Sequence, residues 1–278
     1  MNISIIIPTY NRRHTLGRAI QSILRQSFQP SEIIVVDDRS NDGTGEWVKS
    51  NFPLIKLLDP FEGLANKGVS ATRNAGIKAA MSDWIAFLDS DDEWLPQKLE
   101  KQVEAINQNP NIKFYHSDEI WIRNGVRVNQ KKEHQKFGGN IFNQCLDKCR
   151  ISPSTVLIHK TIFESIGSFD ESLEVCEDYD LWLRITAKFP VLYINDFLIN
   201  KYGGHEDQLS HVKEGIEFHH IRVLEKLIMS DFSADQKESL IKMLVYKLNI
   251  YASGANKRGR SDDFRRSMER INELSSVV

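Results

Sequence analysis

Four short apolar segments constrain the fold of this 278-residue chain more than any other feature. They cover residues 3–7, 32–36, 54–58 and 84–88 and are rich in isoleucine, valine, leucine and aromatic residues. Runs of this length and composition are typical of buried β-strands. The segments between them, 15–26, 45–51 and 68–80, have the periodicity of helices. Strands that alternate with helices predict an α/β fold whose sheet is largely parallel and flanked by helices.

Polar loops follow three of these strands directly. They cover residues 8–12, 37–44 and 89–93. In sheets of this kind, ligands bind beyond the carboxyl ends of the strands. The three loops are therefore expected to converge on one ligand site.

The third loop contains four acids within five positions, interrupted by Ser90: Asp89, Asp91, Asp92 and Glu93. Carboxylates this close repel one another unless a cation lies among them. Oxygen ligands suit hard cations such as Mg²⁺ or Mn²⁺, so the loop is a candidate metal site. The alternative is that Ser90, Asp91 and Asp92 only cap the helix that follows. The convergence of three loops favours the metal site.

Three other positions carry charges that suit a ligand site. Arg73, in segment 68–80, suits either an anionic ligand or a salt bridge. Glu177 and Asp178 lie in the first turn of a predicted helix, where acids suit the helix dipole. His205 lies in a loop with glycine and histidine, where it is expected either to donate to a phosphate or to remain solvated.

The second half of the chain is expected to make the sheet mixed, though still mainly parallel. Strands are predicted at 112–116, 155–159 and 191–194. Asn124 and Gly125 favour a type I′ turn, and therefore a hairpin. Helical periodicity continues from residue 212 onward. We therefore divide the chain into residues 1–211, with halves 1–110 and 111–211, and a C-terminal helical extension, 212–278.

Composition excludes several classes of protein. A net charge of −2 gives no general basis for nucleic-acid binding. No apolar stretch approaches the ~20 residues that span a membrane, and no signal peptide is evident. Three cysteines, Cys145, Cys149 and Cys176, fit structural thiols in a reducing cytoplasm. Residues 247–270 carry seven Lys and Arg against three acids, which suits a solvated helix face or a peripheral contact with the inner face of a membrane.

Several nucleotide and hydrolase motifs are missing from the sequence. There is no Gly-x-Gly-x-x-Gly after a strand, and the phosphate-loop lysine is absent after Gly68. No Gly-x-Ser-x-Gly elbow appears either. Dehydrogenases, P-loop enzymes and serine hydrolases are therefore disfavoured.

Five motifs, in order, resemble those of the family 2 glycosyltransferases, which have the GT-A (Rossmann-like) fold. They are residues 4–12 (SIIIPTYNR), 35–44 (VVDDRSNDGT), 71–76 (ATRNAG), 87–92 (FLDSDD) and 177–184 (EDYDLWLR). Each motif alone is weakly specific, whereas five motifs in this order are strongly specific. The resemblance covers roughly residues 1–210. It implies inverting transfer of a sugar from a nucleoside-diphosphate sugar, with UDP as the expected nucleotide.

The same resemblance implies roles for individual residues. The nucleotide-sugar would be held by Pro8, Thr9, Tyr10, Arg12, Asp38, Arg73, Asp89, Ser90, Asp91, Glu177 and His205. Asp91 would bind a divalent cation, Mn²⁺ or Mg²⁺, which bridges the diphosphate. Asp89 would meet the ribose or a metal-bound water, and Asp178 would be the general base.

The acceptor is expected to be a saccharide or lipid-linked saccharide, in polysaccharide or glycolipid synthesis. Segments 130–151 and 203–211 have the least regular pattern and are the expected acceptor-binding regions. Two rival functions are a sugar-phosphate nucleotidyltransferase and a non-catalytic nucleotide-sugar-binding protein. A nucleotidyltransferase would be expected to have a basic, glycine-rich loop in place of Pro8-Thr9-Tyr10. A non-catalytic binding protein would be expected to lack Asp91 or Asp178, and both are present.

Overall fold

A computed structural model describes residues 1–61, 66–204 and 215–275 of the chain. His205 and most of segment 203–211 therefore lie outside the described residues. Among the residues that are described, no helix has the length and apolar character needed to cross a membrane.

The first part of the chain alternates between strands and helices, as the sequence predicts. The strands are β1 (Ile3–Thr9), β2 (Glu32–Asp37), β3 (Lys56–Leu58) and β4 (Trp84–Phe87). The helices are α1 (Arg13–Leu24), α2 (Thr44–Asn51), α3 (Gly68–Ala79) and α4 (Lys98–Gln108). β1 pairs in parallel with both β2 and β4, and β2 pairs in parallel with β3. The carboxyl ends of β1, β2 and β4 therefore meet at one edge of the sheet.

The second part adds strands that run in both directions. They are β5 (Glu93–Trp94), β6 (Phe114–Arg123), β7 (Val126–Val128), β8 (Leu157–His159) and β9 (Leu192–Gly203). The sheet has the order β3-β2-β1-β4-β8-β6-β9-β5, with β7 paired to β6. The predicted hairpin is confirmed, because β6 and β7 are antiparallel and Asn124 and Gly125 both have positive φ. The prediction of a mixed α/β sheet is confirmed.

Helices and short turns complete the chain. They are α5 (Phe142–Cys145), α6 (Thr161–Ile166), α7 (Glu177–Thr186), α8 (Ile216–Ile228), α9 (Ala234–Lys257) and α10 (Ser261–Ser275), with 3₁₀ turns at Lys132–His134 and Pro153–Thr155. The last three are the predicted helical extension. A capping box begins α9, where Ser233 and Gln236 exchange hydrogen bonds.

Alternating residues of the central strands bury two separate cores. Ile5 and Ile7 of β1 pack with α1, α2 and α4 on one face of the sheet. Ile6 of β1 packs on the opposite face, together with residues of α7 to α10. The two-residue period of a strand explains this division. The C-terminal helices therefore share a core with the sheet.

Two expectations about local structure are wrong. Ser90, Asp91 and Asp92 do not cap the next helix, because α4 begins at Lys98 and Gln97 is its N-cap residue. Glu93 lies in β5 and pairs with β9. The last strand was expected to cover only 191–194, but β9 continues to Gly203 beside β6. Its extra length brings Lys201 and Tyr202 to the acidic loop.

The close packing of α3 on β1 gives a testable prediction. A Cβ atom at Gly76 would overlap Ile6 Cγ2, and Ile6 is fully buried. Gly76→Ala should therefore destabilise the fold by about 2 kcal/mol in urea unfolding, because the core must shift. Gly254→Ala in α9 is the matched control, since its Cβ would meet only the end of the Arg258 side chain, at 2.6 Å. It should be neutral or stabilising by up to about 1 kcal/mol; equal losses in the two variants would contradict the packing argument.

Candidate functional site

The loops after β1 and β2 are hydrogen-bonded to each other. The Asn11 backbone N–H donates to Ser40 Oγ at 2.8 Å, and the Asn41 N–H donates to Asn11 Oδ1 at 2.8 Å. Asn11 and Arg39 adopt positive φ, which asparagine tolerates better than most residues. These bonds hold the two loops in one fixed arrangement.

The predicted nucleoside-binding residues lie in this pair of loops. Asp38 is buried, and its carboxylate accepts from the N–H groups of Lys67 and Gly68 at 2.9 and 2.7 Å. Thr9 is also buried, and its hydroxyl has no hydrogen-bond partner among the described residues. Tyr10 is exposed beside it. Asp38 therefore fixes the start of α3, while Thr9 and Tyr10 offer a polar group and a ring at the carboxyl end of β1.

The acids after β4 have different environments. Asp89 accepts from Arg73 at 2.8 Å. Asp92 is buried and accepts from the Ser154 hydroxyl at 2.6 Å and the Tyr202 N–H at 3.0 Å. Burial, together with Asp91 and Asp89, raises the pKa of Asp92 well above its ordinary value. Asp92 is therefore a structural acid inside the site rather than a cap.

Asp91 has the position that suits a ligand of a cation. It is only partly buried, and its backbone carbonyl accepts from the Arg18 guanidinium. Arg18 also stacks on the Tyr202 ring, 3.6 Å from the ring centroid. These contacts tie the loop to α1 and β9.

Arg73 connects the two acidic motifs. Its guanidinium is buried and donates to Glu177 Oε1 at 2.5 Å and to Asp89 Oδ1 at 2.8 Å. Burial raises the pKa of Glu177 to about 7, although Arg73 opposes the change. Arg73 thus forms a buried salt bridge, and its role towards a nucleotide stays a prediction. Its guanidinium contacts Glu177, which lies 104 positions further along the chain.

Asp178 lies at the start of α7, next to Glu177. Its Oδ2 accepts from the Cys149 thiol at 3.3 Å, and its Oδ1 accepts from the Tyr179 N–H at 2.7 Å. Cys176, the N-cap residue, has φ of 64°, a conformation that non-glycine residues seldom adopt. That bend begins the helix and sets the direction in which Glu177 and Asp178 leave the chain.

Several residues of the site were not predicted from sequence. Ser154 accepts from the Asp89 N–H at 3.1 Å and donates to Asp92. Lys201 donates to Ser152 Oγ at 2.7 Å. Burial disfavours the Lys201 cation, but Glu119, Asp92, Asp89 and Asp178 outweigh burial and raise its pKa. The apolar Leu198 and Ile199 beside Lys201 are a signal for a longer strand that the prediction overlooked.

The turn that carries Ser154 is held by three side chains from β5 and α4. Trp94 Nε1 donates to the Ser154 carbonyl at 2.9 Å, Gln102 Nε2 to Thr155 at 3.0 Å, and Lys98 Nζ to Val156 at 3.3 Å. Lys98 is fully buried, and burial lowers its pKa well below the ordinary value. Successive backbone carbonyls of the turn are thereby satisfied by fixed donors.

A buried ion pair lies beneath Lys201. Glu119 Oε1 accepts from Trp121 Nε1 at 2.8 Å and from the Ser152 hydroxyl at 3.0 Å, and Lys136 Nζ is 3.2 Å from Glu119 Oε2. Burial disfavours the carboxylate, but Lys136 and Lys201 outweigh burial and lower the pKa of Glu119 from 4.5 to about 2. Glu119 therefore stays ionised inside the protein.

The donor set fits a divalent cation that is shared with a ligand. Within residues 1–61, 66–204 and 215–275, no three His, Cys, Asp or Glu side chains are grouped closely enough to hold a metal ion. Mg²⁺ at phosphate sites commonly takes only one or two protein carboxylates, with phosphates and waters as its other ligands. Asp91, partly exposed at the end of β4, supplies a carboxylate of that kind.

The predicted residues thus fall into two groups. Thr9, Tyr10 and Asp38 lie in the hydrogen-bonded loops after β1 and β2, with Pro8 and Arg12 beside them in the chain. Asp89, Ser90, Asp91, Arg73, Glu177 and Asp178 come together around the Arg73 bridge. His205 is outside the described residues, so its place relative to either group stays a prediction.

Comparisons with known proteins agree with this architecture. The model of Glycosyl transferase family 2 matches residues 4–167. The chain is 32% identical over 260 residues to WfgD, the Escherichia coli UDP-Glc:alpha-D-GlcNAc-diphosphoundecaprenol beta-1,3-glucosyltransferase. This match covers 92% of this chain and 94% of WfgD. The chain is 31% identical over 191 residues to WfaP of Escherichia coli, which is also named a UDP-Glc:alpha-D-GlcNAc-diphosphoundecaprenol beta-1,3-glucosyltransferase; that match covers 67% of this chain and 70% of WfaP. Among solved structures, Staphylococcus aureus TarS in complex with UDP-GlcNAc superposes with a TM-score of 0.75 at 19% identity, over 99% of this chain and 81% of that one. At that identity the likeness to TarS shows the GT-A fold alone.

The buried pair of Glu119 and Lys136 predicts a pH-dependent stability. Because folding lowers the Glu119 pKa from 4.5 to about 2, its contribution is complete above pH 4.5 and is lost as the pH falls towards 2. Glu119→Gln should cost roughly 3 kcal/mol of unfolding free energy at pH 7. The difference in unfolding free energy between Glu119→Gln and wild type, measured by urea titration, should become smaller at pH 4 and smaller again at pH 3.

A surface acid provides the control for this measurement. Glu46 is exposed and pairs with Lys49 at 2.8 Å, so Glu46→Gln should stay within about 0.5 kcal/mol of wild type at each pH. A Glu119→Gln loss that is the same at pH 7 and pH 3 would show that the carboxylate charge is not what stabilises the fold.

Proposed function

The chain belongs to Glycosyl transferase family 2, and we propose that it transfers a sugar, with inversion, from a UDP-sugar to a hydroxyl of a lipid-linked saccharide. The observation that carries the proposal is the Arg73 bridge, which brings the loop with Asp91 and the helix start with Asp178 to the same site. A sugar between these two motifs would have a leaving-group site on one side and a base on the other. The proposed setting is polysaccharide or glycolipid synthesis.

The donor nucleoside is bound by the loops after β1 and β2. Tyr10 provides an exposed ring and Thr9 a hydroxyl without a partner in the described residues. Pro8 and Arg12 shape the same loop, and Asp38 positions the start of α3 beside it. The likeness of these residues to the family motif supports their role.

Asp91 holds the divalent cation, Mn²⁺ or Mg²⁺. When bound, the cation neutralises the charge that develops on the departing diphosphate. Asp89 meets the ribose or a metal-bound water, and its Oδ1 also accepts from Arg73. It orients Arg73 on the donor side of the site, while Ser90 connects the two acids.

Asp178 is the general base. The acceptor hydroxyl oxygen attacks the anomeric carbon, the bond from that carbon to the diphosphate oxygen breaks, and the hydroxyl proton passes to the Asp178 carboxylate. A single in-line displacement inverts the anomeric configuration, and UDP leaves with the electron pair of the broken bond. Glu177 is a positioning residue, since it acts through the guanidinium of Arg73.

The acceptor assignment draws on the relatives. WfgD and WfaP are named for an acceptor sugar that is joined to a lipid through a diphosphate. An acceptor of that kind lies in a membrane, so the reaction takes place at a membrane surface, on the cytoplasmic side, with the protein in peripheral contact. Residues 1–110 form the nucleotide-binding half and residues 111–211 the acceptor-binding half.

The rival functions lose support. The family match and the named relatives are glycosyltransferases, which disfavours a sugar-phosphate nucleotidyltransferase. The acids whose loss would indicate a non-catalytic binding protein, Asp91 and Asp178, are both present.

The role of Asp178 can be tested by replacing its charge alone. Asp178→Asn keeps the size of the side chain but cannot accept the proton, so kcat should fall about 10²–10⁴-fold. Calorimetric binding of UDP should be unchanged. Glu174→Gln, an exposed acid four positions earlier, is the control and should keep full activity. Near-normal turnover by Asp178→Asn would remove Asp178 from the role of base.

The role of Asp91 can be tested by calorimetry with UDP, with and without Mn²⁺. Wild type should bind UDP more tightly with the cation, whereas Asp91→Asn should lose that difference, because a neutral amide is a poorer ligand for a hard cation. Asp83→Asn is the matched control, since Asp83 precedes β4 and pairs with Lys160 at the other end of the strand. Metal enhancement that persists in Asp91→Asn would contradict the assignment.

A further inference from the structure

A cavity of about 350 Å³ is lined in part by Cys149, whose thiol donates to Asp178. Its walls come from β6, the end of β9, residues 130–152 and the start of α8. None of the donor-binding residues proposed above lines it. The cavity is therefore a separate compartment of the site, in the half that the acceptor should occupy.

The walls of this cavity carry mostly positive charge. Its cations are Arg123, Lys136, Lys148, Arg150 and Lys201, and its acid is Glu119. Desolvated walls of one sign focus the electrostatic potential and attract ligands of the opposite sign. The cavity thus suits a ligand with a negative group.

The cations differ in how firmly they are engaged. Lys136 pairs with Glu119 at 3.2 Å, and Arg150 forms a bidentate pair with Asp147 at 2.7 and 2.9 Å. Lys148 has a looser pair with Glu133, at 3.5 Å, and keeps 25% of its side chain exposed.

Arg123 is the least engaged of these cations. It is exposed, its guanidinium lies 5.6 Å from the Trp121 ring centroid, and it has no acidic partner in the described part of the chain. Lys148 and Arg123 are therefore the cations best placed to take an incoming anion.

The cavity reaches the proposed base through Cys149. This residue lines the cavity and donates to Asp178 Oδ2 at 3.3 Å. Lys201 also lines the cavity, and although burial disfavours its cation, the charges of Glu119, Asp92, Asp89 and Asp178 raise its pKa. A ligand in the cavity would therefore present its inner end to the catalytic acids.

The cavity also has surfaces that suit a sugar and an alkyl chain. Trp121 presents a partly exposed ring, of the kind on which the apolar face of a sugar can pack. Ile216, 39% exposed, lies at the start of α8. The cavity therefore has surfaces that can contact a negative group, a sugar and an apolar segment of a ligand.

We propose that this cavity binds the acceptor, and that Lys148 and Arg123 bind a phosphoryl group attached to the acceptor sugar. The inference rests on the proposed function, because it takes Asp178 as the base towards which the acceptor hydroxyl points. It assigns the acceptor to the class of glycosyl diphosphates. The acceptor phosphate would then be bound by Lys148 and Arg123, apart from the divalent cation at Asp91 that serves the donor diphosphate.

Binding can be measured without donor and without turnover. The probe is N-acetylglucosamine joined through a diphosphate to a short alkyl chain, compared by calorimetry with the neutral alkyl glycoside of the same sugar and with inorganic phosphate. Wild type should bind the diphosphate compound at least about tenfold more tightly than either. Lys148→Gln and Arg123→Gln should each weaken that binding about tenfold and leave the alkyl glycoside unaffected.

Lys131→Gln is the matched control, because Lys131 also pairs with Glu133, at 3.9 Å, but does not line the cavity. It should change neither affinity. The inference is overturned if the diphosphate compound fails to bind, binds no better than the alkyl glycoside or inorganic phosphate, or is weakened as much by Lys131→Gln as by Lys148→Gln.

Steady-state kinetics separates this inference from the proposed function. Where transfer occurs, Lys148→Gln should raise the KM for the diphosphate acceptor about tenfold and leave kcat nearly unchanged; an unchanged KM contradicts the inference while the proposed function stands. If no UDP-sugar is transferred but the charge-dependent binding persists, the inference is supported and the proposed function fails.

Discussion

The site depends on one buried guanidinium. Arg73 of α3 donates to Asp89, after β4, and to Glu177, at the start of α7. One cation between two carboxylates leaves a net negative charge, and burial raises the pKa of Glu177 to about 7. Removing one member of a buried ionic group usually costs more than the group contributes, because the remaining charges stay buried without a partner. The Arg73 bridge therefore sets the spacing between the acids proposed for metal binding and for base catalysis.

A second set of interactions separates the supporting acid of the acidic loop from the acid proposed to bind the metal. Trp94, Lys98 and Gln102 hold the turn at Pro153–Thr155 and its neighbour Val156, and Ser154 in that turn binds Asp92 and the Asp89 N–H. Asp92 is thereby an internal support, while Asp91 stays at the partly exposed end of β4. On the other side of the site, the Lys201 cation interacts with the charge of Asp178, and the pair of Glu119 and Lys136 lies near Lys201. The acids and the basic cavity are thus neighbouring parts of one electrostatic arrangement.

Much of this architecture is predictable from the sequence because it follows from local patterns. Ile3–Thr9 and Trp84–Phe87 are apolar enough to predict strands, and parallel pairing then places Thr9, Asp38 and Asp89 at one edge. Long-range contacts are less predictable. Nothing near Arg73 in sequence indicates that it binds Glu177, and Lys201 enters the site only because β9 follows β6 for its full length. The capping alternative for Ser90 to Asp92 failed because β5 intervenes before α4, and β5 is only two residues long.

The central claim is that a single displacement, with Asp178 as base, moves a sugar from a UDP-sugar to a diphosphate-linked acceptor. The most direct test is the anomeric configuration of the product. The protein should be incubated with Mn²⁺, UDP-α-glucose and N-acetylglucosamine joined through a diphosphate to a short alkyl chain, and the new linkage assigned by NMR. A β-linked glucose is the predicted product, because one in-line attack inverts the α-linked donor. An α-linked product, formed with retention, would contradict the mechanism.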